Sequence, residues 1–226
     1  MSSNDDHRPP SVRLGRVTEV ATFRRSYRGP FLPTTPGEAE IDAVLSAGLS
    51  APSSKDAKPW RLHVVTSAAT LSAIAEDVVA AEGIDTYVPV DPVSGQPHAR
   101  FTSTVIESAE VLEAAPLAIF IENTGAFSVG RQTLLSVPPD HLAGALLGHG
   151  LEILGIGGAI QAMWLAAADL GLAGVFIGDV LIVEEAISSR LGLSGDLIGV
   201  LALGYPEDRE RAWGERPVDL SAVTRR

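Results

Sequence analysis

The sequence contains no cysteine, which excludes disulfides, thiolate-ligated metals and thiol nucleophiles. A cysteine-free chain fits a reducing cytoplasm, the location expected here. Positive charge is also scarce, with 17 Lys+Arg against 28 Asp+Glu and a formal net charge of −11. Such a surface repels phosphate backbones, so nucleic acid is not an expected partner. A small anion can dock only where the few cations gather. No clean apolar run reaches the ~20 residues that a membrane span needs. His149, Glu152, Gln161, Asp169 and Asp179 interrupt the most apolar stretch, 142–183, and basic flanks are missing. A helix buried on nearly all sides is expected there, and no membrane partner. Residues 1–16 are polar, hold Asp5, Asp6, Pro9 and Pro10, and lack the apolar region of a signal peptide. They read as a disordered leader before a single domain over 17–226. With 46% hydrophobic and 20% charged residues, the chain has the material for a packed core.

Repeats and low-complexity tracts are absent too, so the pattern is read element by element. Val17 to Arg24 reads as a short helix ending in cations, followed by a turn at 29–33. Thr35 as cap, Pro36 at the first helical position and Glu38 after it predict a helix start. Ile41, Val44, Leu45 and Leu49 follow at helical spacing, and Ala51-Pro52-Ser53-Ser54 ends the run. Trp60–Val65 reads as a strand, Ala68–Ala81 as a helix, and 83–100 as an irregular loop long enough to serve function. Phe101–Ala114 is predicted helical, Pro116–Glu122 a strand, and 123–139 a second loop. Asp140 then caps a mostly helical stretch to Leu170, which Gly155, Gly157 and Gly158 bend or divide. Gly174–Ile177 and Asp196–Gly204 read as strands with a helix, Val183–Leu191, between them. The class is therefore α+β, helices flanking one central mixed or antiparallel sheet.

Three segments carry candidate chemistry. Arg24-Arg25-Ser26-Tyr27-Arg28 gathers three cations in five residues, with Arg24 and Arg28 on one face if the helix continues. Guanidinium groups bind phosphate in a bidentate way, although cations also suit any helix C-terminus. Next, Ala51 to Trp60 joins helix to strand through prolines, hydroxyls and short polar residues. Its exposed backbone suits reading the edge of a planar heterocycle, and an ordinary connection would look similar. Finally, 157–172 is rich in small residues that permit close helix packing, and Gly171 can end it. A helix so apolar suggests burial between subunits as well as in the core.

Other sites are poorly supported. His141 and His149 lie eight positions apart, roughly 12 Å along a helix, so they cannot share an ion, and no metal is expected. Gly155-Ile156-Gly157-Gly158 lacks the last glycine of a dinucleotide fingerprint. Neither a phosphate-binding Walker loop nor a Gly-x-Ser-x-Gly elbow is present.

In order along the chain, these segments resemble the nitroreductase family from about Val17 to Leu220. Arg24 to Arg28 matches the opening Arg-x-Ser-x-Arg/Lys motif, and Pro52-Ser53-Ser54 through Pro59-Trp60 matches a Pro-Ser-x-x-Asn-x-Gln-Pro-Trp loop. Ala159-Ile160-Gln161 through Gly171-Leu172 resembles the central helix, 201–206 the closing strand, and Arg216-Pro217 a late arginine. Asp56 stands where the family usually has Asn, Lys58 where it has Gln, and Gly155 where an acid is common. The branch that fragments flavin to dimethylbenzimidazole uses an Asp in place of Ser26 and a Ser near Gly178, so that activity is not expected.

The resemblance implies an intertwined homodimer of nitroreductase-like fold with FMN as cofactor. It implies that Arg24, Arg25, Ser26, Arg28 and Arg216 hold the phosphate and ribityl chain. Pro52, Ser53 and Ser54 would reach the partner's flavin, with Asp56 and Lys58 near its edge and the backbone at Gly178 and Asp179 facing N5. Flavin N5 carries the hydride, so no side chain is expected to be catalytic. The implied reaction takes hydride from NAD(P)H to a small, planar or aromatic acceptor. Two alternatives share these residues: an oxidase or dehydrogenase of a biosynthetic intermediate, and a flavin-binding or storage protein without turnover.

Overall fold

A computed structural model describes residues 15–215 and 220–224. Helices α1 (Arg16–Phe23) and α2 (Glu38–Leu49) precede strand β1 (Trp60–Val65), followed by α3 (Ala68–Ala80) and α4 (Val105–Ala114). Strand β2 (Leu117–Asn123), short α5 (Arg131–Ser136) and long α6 (Pro139–Asp169) come next. Strand β3 (Ala173–Ile177), α7 (Glu184–Leu191), β4 (Asp196–Gly204) and α8 (Arg209–Ala212) complete the order. Helix α1 takes in Arg16, one residue inside the expected leader, whose first fourteen residues lie outside those described.

The four strands form one sheet in the order β1-β2-β4-β3, with every pair antiparallel. Period-two alternation gives the sheet two apolar faces. Leu117, Ile119 and Ile121 of β2 join Leu201 and Leu203 against Val44 of α2 and Ile156, Ala159 and Met163 of α6. Ala118 and Phe120 face the other way, against Leu71 and Ile74 of α3, Ala109 and Leu112 of α4, and Ile187 of α7. Gly174 of β3 is required by close approach: a Cβ there would lie 1.9 Å from the Ala202 carbonyl oxygen.

Several expected boundaries move. The α2 cap is Gly37, not Thr35, because the Glu40 carboxylate accepts the Gly37 N–H at 2.8 Å. Glu40 also accepts the Tyr205 hydroxyl, and the two donors together hold its carboxyl below the usual range. The helix expected from Phe101 begins at Val105, and the loop 123–139 contains α5. Helix α6 has Pro138 at its cap instead of Asp140, and its glycines do not divide it into separate helices.

Helix α6 is long and apolar enough to cross a membrane by length and composition, with 39% of its most apolar window buried. It is not buried on nearly all sides: Leu147 is 65% exposed and Leu154 74%, with Leu142, Leu146 and Ile153 exposed beside them. Its other face lies on the sheet and carries Glu152, which is 0% exposed.

Among the described residues two carboxylates are buried whole, Glu122 and Glu152, and both are fully engaged. Glu152 accepts from Asn123 Nδ2 at 2.9 Å, from Ser128 N and Oγ at 2.7 Å each, and from Phe127 N. Glu122 of β2 accepts from His63 Nε2 at 2.7 Å, Gly195 N at 2.7 Å, Ser194 N and Oγ, and Arg61. Burial pushes both carboxyls up, but the hydrogen bonds outweigh it and hold both below the ordinary glutamate value of 4.5. In the unfolded chain they protonate near 4.5, before their folded counterparts do. The stability they contribute is therefore complete above that pH and is lost as pH falls through it toward the folded values. Thermal melts should show the melting temperature falling below about pH 4.5, with Glu122→Gln less stable at pH 7 but flatter on the acid side. An unchanged acid limb in that variant would show that Glu122 carries none of the effect.

Candidate functional site

Helix α1 ends at Phe23, so Arg24 and Arg28 do not share a helical face. Arg24 has extended backbone, and the segment runs beside the sheet, bridging Trp213 at Arg24 and Gly174 at Ser26. The Tyr27 N–H donates to the Gly174 carbonyl at 2.9 Å. In an extended segment alternate side chains part company, and these do. Arg24 lies 3.9 Å from the Trp164 ring centroid and donates to Gln161 at 3.4 Å, both on α6. Arg28 reaches a cavity of about 130 Å³ that it lines with Thr104, Ser108, Phe176, Gly178 and Asp179. On the way it passes Glu107 at 3.6 Å, an exposed pair that contributes about 0–1 kcal/mol at most.

The alternate residues turn the other way. Tyr27 is buried in the core, edge-on to Phe31, and donates to the Pro30 carbonyl, and it does not line the Arg28 cavity. Arg25 donates through Nη2 to the Glu215 carbonyl at 3.0 Å, while its buried Nε has no partner among the described residues. Arg216, the next residue along, lies outside the described residues. An oriented, desolvated guanidinium N–H of this kind is a donor set up for an anion.

Gly178 and Asp179 open the turn between β3 and α7. Nothing stands within 4 Å of where a Gly178 Cβ would be, so its backbone borders open space. The Thr104 and Ser108 hydroxyls both donate to Asp179 Oδ2 at 2.7 Å, fixing the carboxylate against α4. Gly178 and Asp179 also line a second cavity, about 590 Å³, with Tyr87, Pro89, Phe101 and Leu181. The loop 83–100 thus contributes a wall, whereas 123–139 lines neither cavity.

The 52–58 loop sits elsewhere in the chain. Pro52, Ser53 and Ser54 line a separate cavity with Leu151, Leu154 and Gly155 of α6. Gly155 permits this approach, since a Cβ there would meet the Ser53 Cβ at 3.2 Å. The loop is closed by the Lys58 N–H donating to Ser53 Oγ at 2.9 Å. Asp56 has φ 52° and Lys58 φ 43°, left-handed backbone that Asn and Asp adopt most readily among residues with a side chain. Their side chains pair with each other at 3.6 Å in solvent and line neither this cavity nor the two at Gly178.

Of the residues expected at the site, one cavity brings together Arg28, Gly178 and Asp179. Sequence reasoning missed the supports: Thr104 and Ser108 behind Asp179, and the Glu122 and Glu152 networks that tie the loops to the sheet. The signal for Glu122 was present, an acid directly after the apolar run Ile119-Phe120-Ile121. His149 Nδ1 lies 3.5 Å from Glu152, whose oxygens are already taken. Among the described residues no group of three or more His, Asp or Glu side chains is placed to hold a metal.

The fold has many solved counterparts. Nitroreductase A from Vibrio parahaemolyticus superposes with a TM-score of 0.62 at 20% identity, covering 93% of this chain and 74% of that one. The NADPH:FMN oxidoreductase from Vibrio harveyi complexed with NAD+ gives 0.61 at 19%, covering 92% and 74%. A nitroreductase with bound FMN from Desulfitobacterium hafniense gives 0.61 at 21%, covering 94% and 99%. No curated protein matches the chain by sequence. The family model described as the nitroreductase family matches residues 21–205, from α1 through the end of β4, and the chain belongs to that family.

Proposed function

We propose that this chain is an FMN-dependent oxidoreductase that carries hydride from NAD(P)H to a small, planar or aromatic acceptor, working as a cytoplasmic homodimer. When bound, FMN supplies the hydride-carrying atom, so the protein's own work is binding, orientation and exclusion of water. The observation that carries the reading is the meeting of Arg28 with the open backbone at Gly178–Asp179 in a protein of net charge −11. The residues fit the group in one respect: Arg25, on the opposite side of the segment from Arg28, keeps a buried N–H donor without a partner among the described residues, which a phosphate oxygen would satisfy.

In this reading Arg24, Arg25, Ser26, Arg28 and Arg216 hold the phosphate and ribityl chain. The Gly178–Asp179 backbone borders the reactive edge. Pro52, Ser53 and Ser54, with Asp56 and Lys58 beyond them, complete the partner's site. The separation of that loop from the Arg28 cavity within one chain supports a site built from two subunits. So does the exposed leucine face of α6, because Leu154 adjoins Pro52–Ser54 and patches of this kind mark interfaces.

Anaerobic stopped-flow mixing with NADH or NADPH tests the reaction. Flavin absorbance should bleach with the nicotinamide alone, and a later acceptor should restore it. Bleaching that needs the acceptor present contradicts this two-stage exchange. Peroxide formed without NAD(P)H consumption would mark an oxidase instead, and FMN inert to both nicotinamides a storage protein.

A further inference from the structure

The 590 Å³ cavity has an asymmetric chemistry. Tyr87, Pro89, Phe101 and Leu181 give it apolar and aromatic walls, and among the described residues Asp179 is its one charged lining residue. Both hydroxyl donors on that carboxylate, Thr104 and Ser108, go to Oδ2, and Oδ1 has no hydrogen-bond partner among the described residues. The neighbouring cation, Arg131, is engaged by Glu184 and Asp196, and Arg28 lies on the adjoining cavity with Glu107. Burial and the charges of Asp179 and Glu184 push the Tyr87 phenol up, so it stays neutral. A half-buried carboxylate of this kind favours a donor or a cation and repels an anion.

We propose that this cavity selects flat aromatic compounds bearing a cationic or N–H donor substituent, which pairs with Asp179 Oδ1 while Tyr87 and Phe101 cover the ring. The inference rests on the oxidoreductase reading, because it names the acceptor class of that same site. Aromatic walls accept any flat ring, so selectivity between rings of equal size falls to the one charge.

Titration calorimetry of the FMN-loaded protein with matched probes tests it. Protonated 4-nitrobenzylamine should bind about 10-fold or more tighter than 4-nitrobenzoate at low salt, a preference that shrinks as salt screens it. Asp179→Asn, which can still accept from Thr104 and Ser108, should bring the ratio close to one. Phe101→Ala should weaken both probes and leave the ratio standing. A wild-type ratio near or below one, or a ratio unchanged in Asp179→Asn, overturns the proposal. Should Asp179→Asn fail to fold, a wild-type ratio near one still overturns the proposal, and Asp179→Ser takes its place in the comparison, because the net charge of −11 alone favours the cationic probe. Binding is read without turnover, so a protein that shows the preference but resists reduction by NAD(P)H contradicts the oxidoreductase reading alone. One that turns over without the preference contradicts this proposal alone.

Discussion

Glu152→Ala should lower the melting temperature by roughly 10 °C or more. The carboxylate is 0% exposed and gathers donors from Asn123, Phe127 and Ser128. Truncation leaves them facing a cavity, and each unsatisfied buried donor costs about 1–3 kcal/mol. The contributions do not add fully, yet four donors, Asn123 Nδ2, Phe127 N and Ser128 N and Oγ, lose their acceptor at once, so the loss amounts to several kcal/mol, about 3–5. Glu152→Gln keeps one acceptor oxygen but turns an NH2 toward other N–H donors, so it should recover only part of the loss. A melting temperature within about 3 °C of wild type in the alanine variant would show that the network is dispensable.

Arg25→Ala should weaken FMN binding by roughly 10- to 100-fold while leaving riboflavin binding nearly unchanged. A chain of net charge −11 repels a phosphate group everywhere except where cations are held in place. Arg25 is such a cation, with Nη2 fixed on the Glu215 carbonyl and a buried Nε turned toward no described partner. A phosphate is the natural acceptor, and riboflavin lacks one. Arg25→Lys keeps the charge and loses the planar fork, so it should fall between wild type and alanine. Fluorescence titration with the two flavins reads both affinities. Equal loss for FMN and riboflavin would mean that Arg25 supports the fold near 212–215 and does not bind phosphate.

Much of the architecture was legible locally. Strands Trp60–Val65 and Asp196–Gly204 have the bounds that their apolar runs and flanking turns imply. The helix expected from Asp140 to Leu170 is present as Pro139–Asp169. What was illegible depends on distant partners. The run of cations after Phe23 looks like a helix end, and only pairing with Gly174 and Trp213 draws it into extended form. The cap expected from Thr35 and Glu38 is made instead by Gly37 and Glu40, and Tyr205, far along the chain, holds the Glu40 carboxylate. Nothing near Asp179 in the sequence announces Thr104 and Ser108, because α4 is delivered to it across the fold. The cation run at Arg28 was visible as a motif and Gly178 came from the resemblance, whereas the cavity that both line required the fold.

The most direct measurement is the absorbance of the purified protein between about 350 and 500 nm, with any bound flavin released and identified, followed by titration of the apoprotein with FMN. The account predicts a yellow protein, or a colourless one that takes up FMN with far higher affinity than riboflavin. A colourless protein that leaves added FMN in solution would return the arginines to an ordinary surface charge run, and the oxidoreductase reading would fall with them.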